Sequence, residues 1–440
     1  MNQPRSENRR IAVIGAGISG LSAAWLLRQQ ADVVLFEQDT RPGGHADTQH
    51  VTLAGTPHAV DTGFIVYNER NYPNLTGLFA HLGIATRPSK MSFGVSINDG
   101  AFEYSGDDSR MLAAMFAQKR NALRPAFWSM LRDIARFHRE APALLATDST
   151  ESLGDYLGRN RYGTPFIERH ILPMGAAIWS ASVVGMRDFP ARQFVRFFHN
   201  HGLLTLKDPI QWRTVTGGSR VYVTRMMADL PAPRLGCRVA SVARDDLGVL
   251  VRLADGSAER FDHAILASHA DQSLAMLEQP TPDERALLGA VRCEDNLAVL
   301  HTDISFMPRR RAAWSAWNYL SANAQDHAAP VSLTYWMNCL QGIDSAAPLL
   351  VTLNPARMPD PALVLRTRHY RHPQFDAAAM RAQEALPGIQ GKAGIWFAGA
   401  WTGWGFHEDG IASSVRIAAA LGVAAPWAAA DRSAALPIAA

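Results

Sequence analysis

The 440-residue chain holds only three cysteines, Cys237, Cys293 and Cys339, far apart and never as a Cys-x-x-Cys pair. That scarcity excludes a disulfide framework, a thiol redox motif and a cysteine zinc site, and no metal is expected. No uninterrupted apolar run is long enough to span a bilayer. A charge excess is missing too: 43 Lys and Arg against 40 Asp and Glu leave +3, which argues against a nucleic-acid partner and against disorder. Met1 to Arg10 is polar and charged, with no room for the apolar stretch of a signal peptide, so a cytoplasmic protein is expected. No tandem repeat or long low-complexity linker is present, and nothing in the pattern specifies an oligomeric state.

What is present begins with Ile11-Ala-Val-Ile-Gly15-Ala16-Gly17-Ile18-Ser19-Gly20, an apolar run entering a Gly-x-Gly-x-x-Gly loop that opens the helical stretch Leu21 to Arg28. Gly15 permits the tight turn, Gly17 lets the backbone approach a pyrophosphate, and Gly20 lets the helix pack on the strand. The free N–H groups of the helix start would face the anion. About twenty residues on, a second apolar strand, Asp32 to Phe36, ends in Glu37, placed to accept ribose hydroxyls. A second glycine pair follows in Arg41-Pro-Gly43-Gly44-His45-Ala46, where the chain can cross the same phosphates. Two neighbouring glycine turns point to FAD. The extended segment Ala59 to Phe64 ends on another glycine, Gly63.

Together with the stretch Ile395 to Ser414, these motifs resemble the flavin amine oxidase superfamily, which includes monoamine oxidases, protoporphyrinogen oxidases and carotenoid desaturases. The resemblance implies an α/β fold: a Rossmann-type, glutathione-reductase-like FAD-binding domain interleaved with an α+β substrate domain. The FAD-binding portions are expected at 1–100, 215–290 and 391–425. The substrate portions are expected at 101–214, mostly helical, and 291–390, mostly extended, with an Ala-rich frayed tail at 426–440. Ser219 is read as the cap of a helix reaching about Leu230. Asp255-Gly256 is read as a hairpin turn, and three alternating segments near 296–302, 331–337 and 349–353 as strands of one sheet.

By the same resemblance Val239 offers backbone groups to the adenine. The strand ending in Gly399 and a helix beginning near Gly410 and Ile411 close over the flavin, their N–H groups facing its pyrimidine ring. Amine oxidases carry Gly-Gly-Arg where this chain has Gly44-His45, and a carboxylate for the ribityl hydroxyls where it has Gly399-Ala400. Glu408 or Asp409 is the suggested replacement, against the reading that one merely caps the last helix. No cysteine stands in the C-terminal motif, so the FAD is expected without a covalent thioether link. Tyr370, with Trp401 or Trp404, would supply the aromatic pair over the flavin. Proton acceptors are sought among His407, His372 and Glu408, against the reading that each is a hydrogen-bonded structural residue. An apolar, aromatic substrate lining is expected from Trp179, Phe197, Phe198, Trp314, Trp317, Tyr319, Tyr335 and Trp336, each also readable as core.

At a finer level the chain resembles a bacterial branch of predicted NAD/FAD-binding oxidoreductases. The motifs that carry this are Asp61 to Asn68, Trp314 to Tyr319, Thr334 to Asn338, Tyr370 to Asp376 and Gly405 to Gly410. Relatives there include a desaturase of methyl-branched fatty acids, which implies a fatty acyl substrate. The stretch from Ser109 to Arg139 adds a local charge of 7 minus 1, or +6, interleaved with apolar residues and broken near Pro125. It reads either as a solvated basic face or as amphipathic helices touching an anionic membrane at its inner face. No second glycine fingerprint follows a strand, so the substrate, not a pyridine nucleotide, is expected to reduce the flavin. Three functions stay open: a lipid desaturase, an amine oxidase releasing hydrogen peroxide, and a flavin-binding protein without turnover.

Overall fold

The computed structural model describes residues 9–106, 114–179, 182–204, 210–231, 233–321 and 332–428. Its first sheet is parallel, in the order Ile395–Phe397, His263–Leu266, Arg10–Ile14, Asp32–Phe36. Two strands come from the first expected portion, one from the second and one from the third, so the interleaving is real. The register sets Val13 between Ile265 and Leu35, and all three side chains are buried. Continuous apolar runs are what a sheet covered on both faces requires. Beside it, Val239–Asp245, Gly248–Leu253 and Ala258–Phe261 form an antiparallel sheet whose second turn places Gly256 at φ +90°.

The second large layer is a seven-stranded sheet ordered Val364–Pro373, Cys293–His301, Leu350–Leu353, Ser332–Trp336, Trp317–Ser321, Phe93–Ile97, Phe102–Gly106. The three alternating segments of the second insertion all lie in it. Its last two strands begin at Phe93, ahead of the expected boundary at residue 100. Helices Pro125–Glu140, Leu172–Trp179 and Ala191–Asn200 contribute Phe127, Ala176 and Phe194 to one apolar cluster with Val95, Tyr104 and Leu333 of the sheet. The result is a Rossmann-type portion interleaved with an α+β portion.

Four local expectations change. The last helix runs His407–Ala420, starting before Gly410, because Asp409 caps it by accepting from the Phe406 N–H at 2.9 Å. Ser219 precedes helix Arg220–Ala228 but makes no side-chain cap; its hydroxyl donates to Asp61 instead. The tail is not frayed as far as it is described: Trp427 stacks on Trp25 at 6.2 Å and donates to Asn74 Oδ1 at 3.1 Å. Finally, Lys119–Leu123 forms a 3-10 turn and helix Pro125–Glu140 starts on its proline, while Arg110, Met111 and Leu112 lie outside the described residues. Phe127, Met130 and Phe137 face inward, whereas Leu123 and Trp128 are exposed at 86% and 53%.

Asp61 joins three parts of the chain. Its buried carboxylate accepts from Thr48 Oγ1 at 2.6 Å, the Ser219 N–H at 2.9 Å, Ser219 Oγ at 2.8 Å and Gln341 Nε2 at 2.9 Å. Replacing Asp61 by alanine strands these buried donors. Urea unfolding should then show a loss of about 3 kcal/mol or more, and a smaller loss for Asp61→Asn.

Candidate functional site

The glycine loop behaves as its spacing demands. Gly15 sits at φ +107°, and a Cβ on Gly20 would lie 1.7 Å from the Gly15 carbonyl oxygen, so the helix rests directly on the turn. Gly17 has open space where its Cβ would be, on the cavity side. It precedes helix Ile18–Leu27 with no side-chain cap, leaving the first N–H groups available to an anion. Glu37 is held at the end of its strand by accepting from the Ala16 N–H at 2.7 Å and the Asp39 N–H at 2.9 Å. Gly44, at φ +57°, brings the second glycine pair across the first: a Cβ there would lie 3.1 Å from Gly17 Cα. Gly63 lies under His45, whose carbonyl oxygen would be 2.2 Å from a Cβ.

One continuous cavity of about 2030 Å³ runs from this cradle through the flavin motifs and under the seven-stranded sheet. It exceeds the roughly 300–1,000 Å³ of an ordinary ligand pocket, leaving room for a dinucleotide and a second large ligand. Gly15, Gly17, Ile18, Ser19, Glu37, Gly44, His45, Gly63, Val239 and Gly399 line it. Ala16, Gly20, Gly43, Gly410 and Ile411 stand behind the wall. Gly43 donates its N–H to the Ala16 carbonyl at 2.7 Å, and a Cβ on Gly410 would press on Ile18 and Ser19 at 2.8 Å. Their role is to hold the wall in place.

Glu408 and Asp409 do not replace the missing ribityl carboxylate, since neither reaches the cavity. Glu408 turns away to accept from Asn74 N–H, Asn74 Nδ2 and Leu75 N–H at 3.0, 2.7 and 3.0 Å, capping helix Pro73–Leu82. Burial still pushes its carboxyl up to about 7 and that of Asp409 up to about 6. Helix N-termini attract carboxylates as readily as hydroxyl-bearing ligands do.

At the flavin end the structure gathers His45, Tyr370 and His372, with ring centroids 4.9 and 5.3 Å from His45, and His269 at 6.4 Å. Tyr370 presents its ring to the cavity while its hydroxyl is tied behind it to Thr62 Oγ1 at 2.7 Å and Asp47 Oδ2 at 3.0 Å. Buried Asp47 also takes the Arg368 guanidinium at 2.7 Å. Sequence reasoning missed Asp47, Thr62 and His269. Arg368 carried a readable signal, since it shares a strand face with Tyr370 two residues on. His407 lines the cavity, stacks on Phe64 at 3.8 Å and shares its Nε2 with the Tyr222 hydroxyl at 3.1 Å. Burial lowers His407 to about 3 and His372 to about 4, so both rings are neutral at physiological pH. Trp401 and Trp404 both line the cavity, Trp401 with its indole N–H donated to the Ser268 carbonyl; the described rings show no direct pairing of either with Tyr370.

Of the eight aromatic residues expected to line a substrate cleft, all but Tyr319 do so. One further cluster, His269, Asp271 and Cys293, brings ligand-type atoms within 4.8 Å of one another. The Arg371 guanidinium, 2.8 Å from Asp271, already supplies its counter-charge.

The cradle fits FAD on its own atoms. Besides the uncapped helix start, Arg41 Nε, His45 Nε2, His269 Nδ1 and His372 Nδ1 are buried, lack a protein partner and belong to cavity-lining residues. Such orphaned groups are costly unless a ligand meets them.

Nine histidines, His45, His138, His170, His201, His263, His269, His301, His372 and His407, are held below their ordinary basicity, chiefly by burial. Each protonates more readily in the unfolded chain, so its contribution is intact above about pH 6.5 and is lost as pH falls. Raised Asp61, Glu408 and Asp409 act oppositely between about pH 4 and 7 but are only three. The melting temperature should therefore rise from pH 5 to 7 in a thermal scan of the holoprotein.

Comparison with known proteins agrees with this geometry. Coproporphyrinogen III oxidase of Mycobacterium tuberculosis (strain CDC 1551 / Oshkosh) is 24% identical over 315 residues, a match spanning 63% of each chain. Among solved structures, the CLA-producing fatty acid isomerase from P. acnes superposes with TM-score 0.68 at 15% identity, covering 95% of this chain and 100% of that one. Putrescine oxidase bound to putrescine gives 0.67 at 16%, covering 94% and 99%. At these identities the solved structures establish the fold. The family model for flavin containing amine oxidoreductase matches residues 18–292, more than half of the chain. With a cradle shaped for a dinucleotide and a wall that leaves polar groups for it, the chain belongs to the flavin-containing amine oxidoreductase family and its cofactor is FAD.

Proposed function

We propose that this protein is an FAD-dependent oxidoreductase that removes a hydride and a proton from a hydrophobic substrate, introducing a double bond into a fatty acyl chain, methyl-branched by the resemblance of the chain. When bound, FAD accepts a hydride from a C–H bond activated by a neighbouring nitrogen or double bond. The chain's own residues do the rest. Trp179, Phe197, Phe198 and Trp317 wall the part of the cavity beyond the flavin motifs, its apolar arm, and keep water out. Tyr370, its hydroxyl anchored, orients what lies against its ring. His372 Nδ1, which no protein group occupies, is placed to take the leaving proton, whereas His407 shares its Nε2 with Tyr222.

The observation that carries this reading is electrostatic. Of the residues lining the cavity, seven are arginine or lysine, and only Glu37 and Asp39 are acidic, both in the cradle. Asp47 does not line the cavity, so a cationic amine would find no counter-charge on the wall beside Tyr370, whereas a neutral amphiphile needs none and an anionic one meets the basic residues. The fatty acid isomerase among the structural neighbours supports an acyl ligand for this fold, as putrescine oxidase supports the amine alternative.

Mixing the holoprotein without oxygen against methyl-branched monounsaturated fatty acids, free and as acyl phospholipids, should bleach the flavin with one of the two forms and leave a new double bond in the recovered chain. Bleaching by amines alone would move the function to amine oxidation. No reduction by any donor would favour a binding protein.

The lipid reading extends to the outer face of helix Pro125–Glu140. Trp128 is exposed on this helix, as is Leu123 in the turn before it, and the helix also carries Arg132 and Arg139, whose side chains are each 73% accessible. We infer that this face meets an anionic membrane. Flotation with anionic liposomes should carry the protein at low salt and release it at high salt; salt-independent absence from the vesicles makes the face a solvated one.

A further inference from the structure

The apolar arm contains a hydrogen-bonding device that the flavin end does not use. Tyr104, on strand Phe102–Gly106, is 1% exposed, and its hydroxyl lies 2.9 Å from the Arg169 carbonyl oxygen and 2.9 Å from His170 Nδ1. A phenol has one proton to give and a carbonyl oxygen can only accept. The proton therefore goes to the Arg169 carbonyl, and His170 Nδ1 must carry its own hydrogen and donate it to the phenol oxygen. That arrangement fixes the tautomer: Nε2 bears a lone pair. His170 lines the cavity, and Nε2 makes no hydrogen bond to any described residue. Burial lowers this imidazole to about 3, helped by nearby His138, which also lines the arm, so the ring stays neutral and the lone pair stays available.

The position of the device matters as much as its chemistry. Tyr104 belongs to one edge strand of the seven-stranded sheet and Tyr370 to the other. Seven strands make six spacings, so the two edge strands lie about 29 Å apart measured along the sheet. Between them the cavity wall is apolar and aromatic. A ligand lying beside Tyr370 reaches His170 only if it is long, and His170 Nε2 offers it an acceptor there.

We propose that His170 is a specificity-determining residue that accepts a hydrogen bond from a neutral O–H group, a hydroxyl or an undissociated carboxyl, at the end of the acyl chain remote from Tyr370. This rests on the acyl reading of the cavity. An ether or ester oxygen at the same place would face lone pair with lone pair, and a buried acceptor would go unmet. Tyr104 is the positioning residue, since it holds the tautomer.

The test is calorimetric titration of the holoprotein with a long-chain primary alcohol and with the methyl ether of the same chain, which needs no turnover. The wild type should bind the alcohol about ten-fold more tightly. His170→Phe, which keeps the ring volume but has no acceptor, should bring the two ligands to within about two-fold. His170→Gln, whose amide oxygen accepts, should restore part of the preference. Flavin absorbance reports whether each variant is folded and loaded. Equal affinities in the wild type, or a preference unchanged in His170→Phe, would overturn the proposal while leaving the acyl reading standing. If neither amphiphile binds the wild type, the acyl reading falls and this assignment falls with it.

Discussion

The buried carboxylate of Asp61 and the three residues that follow it organise the whole site. Asp61 ties the first flavin portion to Ser219 of the second and, through Gln341, to the substrate portion. A charge in such a place is costly, and burial pushes its carboxyl up to about 6 even with these donors around it. The donors hold the backbone of the next residues in one path. Thr62 then bonds the Tyr370 hydroxyl, Gly63 slides under the His45 carbonyl, and Phe64 stacks on His407. Three segments far apart in sequence thus meet at one short stretch.

The cavity built on that stretch combines dryness with a deliberate lack of negative charge. Burial penalises the imidazolium at His45, His138, His170, His201, His269, His372 and His407, which line it, and so favours their neutral rings. Asp47, the carboxylate nearest Tyr370, is spent on Arg368 and on the tyrosine hydroxyl, so it orients a ring without facing the ligand. The wet, polar end lies at Glu37, where a ribose belongs. Along one continuous space the lining therefore changes from a dinucleotide cradle to an aromatic arm. That gradient keeps the acidic groups at the dinucleotide end of the space.

Much of the cradle was legible in the chain. Gly15, Gly20 and Gly44 could be assigned because each needs an absent side chain or a backbone conformation that other residues avoid, and such needs are local. The interleaved α/β architecture followed from where apolar runs recur. Of the two readings of Glu408 and Asp409, the ribityl one fails and the competing one, that one of them caps the last helix, holds for Asp409, because a carboxylate at a helix start looks the same whether it serves a ligand, its own helix or, as Glu408 does, a neighbouring one. Ser219 was misread for the same reason: its hydroxyl had a better acceptor in Asp61, more than a hundred residues away. Trp427 sat in an alanine-rich tail that offered no sign of Trp25 as its partner.

The sequence by itself determined the dinucleotide turn, the strands that carry it and the aromatic content of the second portion, because these depend on steric and hydrophobic demands satisfied within a few residues. Only the tertiary structure decided which polar groups face the cavity and which are consumed in holding it. It set Tyr370 on Asp47, closed Tyr104 against His170, and turned Glu408 away from the ligand. A hydrogen-bonding side chain takes the nearest partner in space, and that partner is known only once distant segments have been packed together.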